Sequence, residues 1–397
     1  MWETSFKNLS VCIITRDQCR KLKKCLEAVK ECLPGADISL LDTGSRDDSL
    51  KTAGIYTDNI GEFQWCGDFA AAKNAAIDRA KNDTVLILDS DEYLLKGQKK
   101  VYGELFDLIR RYPEAVGRIK RDNSYEDPRG LKVHYEEWIN RIFDRRLFRY
   151  EGRIHEQVTS VSGKGYKTFR TDIHVFHDGY DLSPSEKKEK ALRNAGLLIE
   201  EIREKGDDPY LIYQLGKTYY VSSEKEKAAS EFLKCLELKP DPDMEYMEDL
   251  LCLTGYALLD TGRAAEGLKL LKPFSEEERY RKNADFMFLY ALLLMNTAAF
   301  TEARDIFIYC TTLDRSNTEG TSSFMAWYNA GVISEVTGDR EKACTFYRKA
   351  GSLRERKRAL RDAVFFLTKT RRSVILSFKG LKPSSTAGVP FCRGGTL

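Results

Sequence analysis

Residues 86–94 read "LILDSDEYL": an apolar run passes directly into Asp89, Asp91 and Glu92. Carboxylates at the edge of a core are costly unless a cation or a hydrogen-bonding ligand meets them. The run begins at Thr84, and "TVLILD" (84–89) has the length and aliphatic content of a buried strand. Upstream lie "LSVCIIT" (9–15), "CRKLKKCLEAVKEC" (19–32) with Leu22, Cys25, Leu26 and Val29 at helical spacing, and "DISLLD" (37–42). "RDDSLKTAG" (46–54) starts like a capped helix, and "FAAAKNAAIDRAK" (69–81) is an alanine-rich one. Strand and helix alternating at this rhythm predict an α/β, mostly parallel sheet with helices on both faces. Beyond Asp89 the rhythm blurs. "VGRIKRD", "RIFDRRLFRY", "GRIHEQVTSV" and "TDIHVFHDGY" predict strands of a mixed extension, and the polar "DGYDLSPSEKKEK" (178–190) predicts a domain boundary.

The second half is helical and repetitive. "PYLIYQLGKTYYVSSEKEKAASEFLKCLELKP" (209–240) carries Leu215, Gly216, Tyr219, Ala228, Phe232 and Pro240 at the offsets of a tetratricopeptide repeat. Similar patterns surround Gly255, Ala291 and Gly331, and these small residues follow Gly216 at intervals of 39, 36 and 40. Small residues let paired helices touch, so an all-α repeat domain is expected. Residues 354–382 are basic with apolar interleaving, which suits either a capping helix or contact with an anionic membrane surface. The expected division is 1–182, 183–372 and a basic, disordered tail at 373–397.

Bulk properties fit two or three domains. The 397 residues are 42% hydrophobic and 31% charged, enough for sizeable cores and against wholesale disorder. A net charge of +3 gives nucleic-acid binding no support. Ten scattered cysteines without a CxxC pair and only four histidines argue against a zinc site and for reduced thiols. The start, "MWETSFKNLSVCIITRD", lacks a signal-peptide pattern, and no apolar run is long enough to span a membrane. A cytoplasmic protein is expected; the basic segment, if it does not cap the repeats, is where peripheral membrane contact would occur.

In an open α/β sheet, ligands bind outside the carboxyl ends of the strands. Three strands end at Thr15, Asp42 and Asp89, so these side chains, with Asp91 and Glu92, should line one edge. Asp89-Ser90-Asp91 is a DxD, a weak signal alone and a stronger one directly after an apolar strand.

These pieces together resemble a family 2 glycosyltransferase of the GT-A fold. The resemblance is carried by "SVCIITRDQCRKLKKCL" (10–26), "LLDTGSRDDS" (40–49), "DFAAAKNAAIDRAKNDTVLILDSDE" (68–92), "YEGRIHEQV" (150–158) and "HDGY" (177–180). With helical repeats following, the chain also resembles bacterial peptide S-glycosyltransferases of glycopeptide bacteriocins. The resemblance implies that Thr15 and Asp42 contact the base and ribose, Asp89 the ribose or donor sugar, and Lys73 the diphosphate or base. It implies that Asp91 and His177 hold a divalent ion on the diphosphate. One carboxylate and one imidazole suit Mn²⁺ or Mg²⁺, the imidazole favouring Mn²⁺. Arg141 is a candidate to steer the diphosphate. Each has a plainer reading: Asp42 as a helix cap, Lys73 and Arg141 as solvated side chains, His177 as a satisfied strand end. Three departures from the common family pattern are Thr43 after Asp42, Lys73 in place of arginine, and Ser90 inside the DxD.

Family 2 enzymes generally invert the anomeric carbon, which requires a proton acceptor. Glu156 is the preferred base, with His155 and Asp122 as alternatives. A strand through "RIHEQV" would point His155 and Glu156 to opposite faces. The expected function is metal-dependent transfer from a nucleoside-diphosphate sugar, a UDP-sugar by preference, to a peptide, protein or glycan acceptor. The repeats are expected to hold a polypeptide acceptor or a second copy of the chain as a homodimer. The alternatives are a non-catalytic repeat scaffold with a degenerate nucleotide-sugar-binding domain, and a nucleotidyltransferase, which the lack of a glycine-rich basic loop disfavours.

Overall fold

A computed structural model describes residues 6–96, 99–126, 132–177 and 184–351. The chain forms two compact units, one of residues 1–125 and 134–222, the other of 126–133 and 223–397.

The first unit is built on β1 (Leu9–Thr15), α1 (Cys19–Cys32), β2 (Asp37–Asp42), α2 (Ser49–Ala53), β3 (Ile60–Glu62), α3 (Phe69–Asp78) and β4 (Thr84–Asp89). It continues through β5 (Glu92–Leu94), α4 (Lys99–Arg111), β6 (Ala115–Glu126), β7 (Lys132–Asp144), β8 (Phe148–Glu151), β9 (Gln157–Ser160) and β10 (Lys167–His177). Among the described residues eight strands form one sheet in the order β3-β2-β1-β4-β7-β6-β10-β5, and β8 pairs with β9 alone. The β1, β2, β3 and β4 strands are mutually parallel, and β7 joins β4 antiparallel. The expected parallel sheet with a mixed extension is present.

The central strand β1 is buried on both faces, as parallel strands must be when helices cover the sheet. Leu9, Val11 and Ile13 pack with Leu22, Leu26 and Val29 of α1 and Leu105 of α4. Cys12 faces the other way, in a cluster with Ala70, Ala76 and Ile77 of α3. The alanine run in α3 lets that helix lie close to the sheet. The nine described cysteines are free thiols.

Two strand readings are corrected. "RIFDRRLFRY" is broken by a turn at 145–147 into the end of β7 and the start of β8, and 152–156 is a loop between β8 and β9. Gly152, at φ 104°, starts that loop, and His155 adopts φ 53° within it. His155 and Glu156 therefore do not alternate across a strand.

The unit does not stop at 182. It includes α5 (Pro184–Lys205) and α6 (Pro209–Val221). The segment expected to be turn-rich is helical from Pro184, with 178–183 outside the described residues. Leu198 of α5 and Leu211 and Leu215 of α6 bury Ile154. That apolar contact, invisible in a linear reading, draws both helices into the first unit.

The second unit contains α7 (Lys225–Glu237), α8 (Met247–Asp260), α9 (Ala264–Glu276), α10 (Glu278–Arg281), α11 (Ala284–Asn296), α12 (Phe300–Cys310), α13 (Phe324–Val336) and α14 (Arg340–Lys349). The repeat reading holds in its physical detail. A Cβ on Gly255 would lie 2.7 Å from Leu289 Cδ2 and 2.8 Å from Leu271 Cδ1, and one on Gly331 would lie 2.6 Å from the Tyr347 ring. Ala291, Ala303 and Ala343 are buried at the equivalent contacts. α11 is buried almost all round because helices pack on several of its sides. The basic segment at 354–382 and the tail at 373–397 lie outside the described residues.

Gly255→Val should overpack the contact among α8, α9 and α11 and cost about 1–3 kcal/mol of stability in urea denaturation. An unchanged midpoint would mean that these helices are not held at close approach.

Candidate active site

The site lies at the carboxyl ends of β1, β2 and β4. Thr15 and Asp42 are direct neighbours in the β1–β2 register. Both are buried, at 3% and 2% exposure. Asp42 Oδ2 accepts the backbone N–H groups of Gly44 and Ser45 at 3.0 and 2.8 Å. It thus organises the turn after β2; the plainer reading expected it to cap α2, but the N-cap of that helix is Asp48. Its other oxygen, Oδ1, and the Thr15 hydroxyl have no hydrogen-bond partner among the described residues. Two buried, unpartnered oxygens on adjacent strand ends are a cost that a hydrogen-bonding ligand removes.

The three carboxylates of the opening stretch have separate fates. Asp89 Oδ1 receives Lys73 Nζ at 2.8 Å and Oδ2 receives Arg141 Nη2 at 2.7 Å. Glu92 is fully buried and accepts the Asp89 backbone N–H at 3.0 Å, Arg141 Nη2 at 3.0 Å and Arg121 Nη1 at 3.1 Å. Burial alone would raise the Asp89 pKa; the Lys73 and Arg141 charges overcome it and hold the carboxyl well below its usual range. For Lys73, burial acts downward and the Asp89 and Glu156 charges outweigh it, so the ammonium persists. Lys73 and Arg141 are not solvated; both are buried inside the acid cluster. The protein itself supplies the cations for two of the three acids.

Asp91 is the third, and its environment is different. The chain turns after Asp89, and β5 pairs antiparallel with β10 so that Glu92 stands opposite His177. This register sets His177 Nε2 3.6 Å from Asp91 Oδ2. β10 also runs parallel to β6 with His177 opposite Asn123, and His177 Nδ1 lies 3.0 Å from Asn123 Oδ1. Burial would raise the Asp91 pKa; its interaction with His177 brings it below the usual value. Asp122 points to the opposite face of β6, with Oδ2 3.8 Å from His174 Nδ1, away from Asn123 and His177. Among the described residues no group of three or more His, Cys, Asp or Glu side chains gathers around a metal position. Asp91 and His177 supply two donors, an oxygen and a nitrogen, which fits a divalent ion completed by diphosphate and water oxygens.

Glu156 joins the cluster from the 152–156 loop. Lys73 Nζ reaches its Oε1 at 2.5 Å. Arg153, three residues earlier, donates its backbone N–H to Glu201 of α5 at 2.9 Å and accepts the Phe69 N–H at the start of α3 at 2.8 Å. Asn74 of α3 exchanges two hydrogen bonds with the Tyr150 backbone, at 2.9 and 3.0 Å. The loop is thus pinned to the helix that carries Lys73. Gln157 donates to the Tyr210 hydroxyl of α6 at 3.0 Å. Sequence reasoning missed Arg121, Asn123, Glu137 and Tyr210. Arg121 and Asn123 are two apart and share a strand face, but nothing linear says what lies across from them.

Comparison with known proteins finds likenesses to both halves of the chain. The pattern described as "Glycosyl transferase family 2" matches residues 10–169, and "Tetratricopeptide repeat" matches 209–242 and 326–356. Residues 10–169 thus carry a family 2 glycosyltransferase pattern. The SPbeta prophage-derived glycosyltransferase SunS of Bacillus subtilis is 25% identical over 62% of this chain and 58% of its own. A TPR repeat-containing protein of Synechococcus elongatus is 29% identical over 60% of this chain and 59% of its own. The chain therefore spans less than two thirds of the length of either relative. A solved structure of YrrB, described as a TPR protein with an unusual peptide-binding site, aligns with 45% of this chain and 86% of its own at 21% identity and TM-score 0.37. The first matched repeat begins at Pro209, so the transferase unit incorporates the opening helix of the repeat region. Among the described residues no helix is long and apolar enough to cross a membrane.

Arg141→Met leaves Asp89 and Glu92 each short of a buried partner. Unfolding free energy should fall by about 3–5 kcal/mol. A loss within the ~0.5 kcal/mol typical of surface changes would mean that the cluster does not shape this edge of the sheet.

Proposed function

We propose that the chain transfers a sugar from a nucleoside-diphosphate donor, a UDP-sugar, to a nucleophile on a polypeptide, with inversion at the anomeric carbon and a divalent ion, Mn²⁺ or Mg²⁺. The observation that carries this reading is the pairing of two unpartnered buried oxygens, on Thr15 and Asp42, with an Asp91–His177 donor pair at the same sheet edge. The oxygens suit the N–H and hydroxyl groups of a base and ribose. Asp91 and His177 would hold the ion, whose chemistry is to offset the charge released on the leaving diphosphate. Asp89, locked by Lys73 and Arg141, presents a fixed carboxylate edge to the ribose or donor sugar.

Glu156 is proposed as the group that takes the acceptor's proton. Lys73 binds its Oε1, which leaves Oε2 for an acceptor hydroxyl or thiol. A thiol needs less help because its own pKa is lower. The polypeptide acceptor is favoured by the position of Tyr210, the second residue of the first repeat, bonded to the neighbour of Glu156. In this reading the repeats present the acceptor and the transferase unit performs the displacement. A degenerate, donor-binding scaffold is not favoured, because Asp91 and His177 face one another. Residues 373–397 are proposed to be a separate tail.

UDP with Mn²⁺, each at about 100 times its dissociation constant, should stabilise the protein by about 2.7 kcal/mol per site, read as a rise in melting temperature. Asp91→Asn should remove the Mn²⁺-dependent part, and Thr15→Val should weaken the response to UDP alone. No shift with any uridine or guanosine diphosphate would end the reading. A chain shortened to residues 1–222 should still hydrolyse a donor sugar slowly with Mn²⁺ but lose transfer to a polypeptide. Equal transfer by both forms would remove the repeats from acceptor presentation.

A further inference from the structure

Asn123 is 1% exposed and sits between Glu137 and His177. Glu137 Oε1 accepts Arg121 Nε at 2.9 Å, Arg121 Nη2 at 2.6 Å and Asn123 Nδ2 at 2.8 Å. A carboxylate in contact with a guanidinium is an acceptor only. The end of the Asn123 amide facing it must therefore be the NH₂ group. That leaves Asn123 Oδ1 facing His177 Nδ1 at 3.0 Å. A carbonyl oxygen cannot donate, so Nδ1 carries the hydrogen. When the imidazole is neutral it has one N–H, and its lone pair is then on Nε2. Nε2 lies 3.6 Å from Asp91 Oδ2, another acceptor. Two acceptors so placed repel unless a cation or a proton lies between them.

We propose that Glu137, acting through Asn123, is a positioning residue that fixes His177 as its Nδ1–H tautomer and so turns a nitrogen lone pair toward Asp91 for a divalent cation. Arg121 anchors the arrangement at its far end, because it also binds Glu92, three residues after Asp89 and next to Asp91 in the chain turn that presents Asp91. The same chain of bonds thus sets both donors. Only the last step, the cation, rests on the function proposed above. The tautomer is a property of the metal-free protein and stands or falls separately.

Nitrogen-15 NMR of histidine-labelled, metal-free protein at alkaline pH tests it. The chain has four histidines, so the spectrum of His177→Gln assigns the signal. Wild type should show a protonated Nδ1 and an unprotonated Nε2. In Glu137→Gln the new amide can donate to Asn123 Oδ1, the Asn123 amide can turn over, and its NH₂ then meets Nδ1. The signal should shift to the Nε2–H form or a mixture. Affinity for Mn²⁺ measured calorimetrically with UDP present should fall about 10- to 100-fold. Asn123→Ala should give a similar loss, and the double variant should be no worse than either single one. A wild-type Nε2–H tautomer, or a Glu137→Gln signal identical to wild type, would overturn the proposal. The wild-type spectrum decides even if a variant folds poorly. If the tautomer responds as expected and no form binds Mn²⁺ with UDP, the positioning role stands and the metal-dependent reading fails.

Discussion

Arg141 on β7 bridges Asp89 at the end of β4 and Glu92 at the start of β5, and the edge of the sheet depends on that bridge. Burying a carboxylate costs several kcal/mol unless a cation repays it at good geometry. Here one guanidinium serves the first acid of the DxD and the glutamate that follows the motif, and Lys73 and Arg121 complete the charge balance on either side. The chain between Asp89 and Glu92 is consequently held in a single turn, and Asp91 at its apex is aimed at His177. A cluster of apolar residues would stabilise a sheet edge equally well. What charges add is direction: each hydrogen bond fixes an angle as well as a distance.

The cluster also changes what the acidic stretch means. Three carboxylates in four residues invite the idea that all of them serve ligands. Two are neutralised from inside the protein and act as framework. Among the described residues Asp91 has no such internal cation, and Thr15 and Asp42 on the neighbouring strands keep unpartnered oxygens. Lys73 illustrates the same division. Its ammonium joins Asp89 to Glu156, so it sets the spacing between the donor edge and the loop with the proposed base.

That loop is where α5 and α6 meet the elements of the sheet unit. Ile154 is buried by α5 and α6, and Arg153 is tied to α5 through Glu201. Glu156 is therefore placed by helices that follow the sheet in sequence. The opening helix of the repeat region has been absorbed into the transferase unit, with Tyr210 beside the proposed base.

Much of this was legible in the chain. Runs such as "LSVCIIT" and "TVLILD" declare buried parallel strands by their length and composition, and the spacing of Gly216, Gly255, Ala291 and Gly331 declares paired helices. The strand-end rule then places Thr15, Asp42 and Asp89 at one edge without coordinates. These are local or periodic properties, and hydrophobic burial enforces them wherever the chain folds. Tertiary structure alone decided the rest: that Arg141 and Lys73 turn inward, that α5 and α6 belong with the sheet, that 152–156 is a loop, and that Glu137, Asn123 and His177 line up. Each of those depends on contacts between segments far apart in sequence, and the last on strand register. A shift of one residue would send Arg121 and Asn123 to the opposite face, and the amino-acid order of one strand carries no record of which residue its neighbour will place across from it.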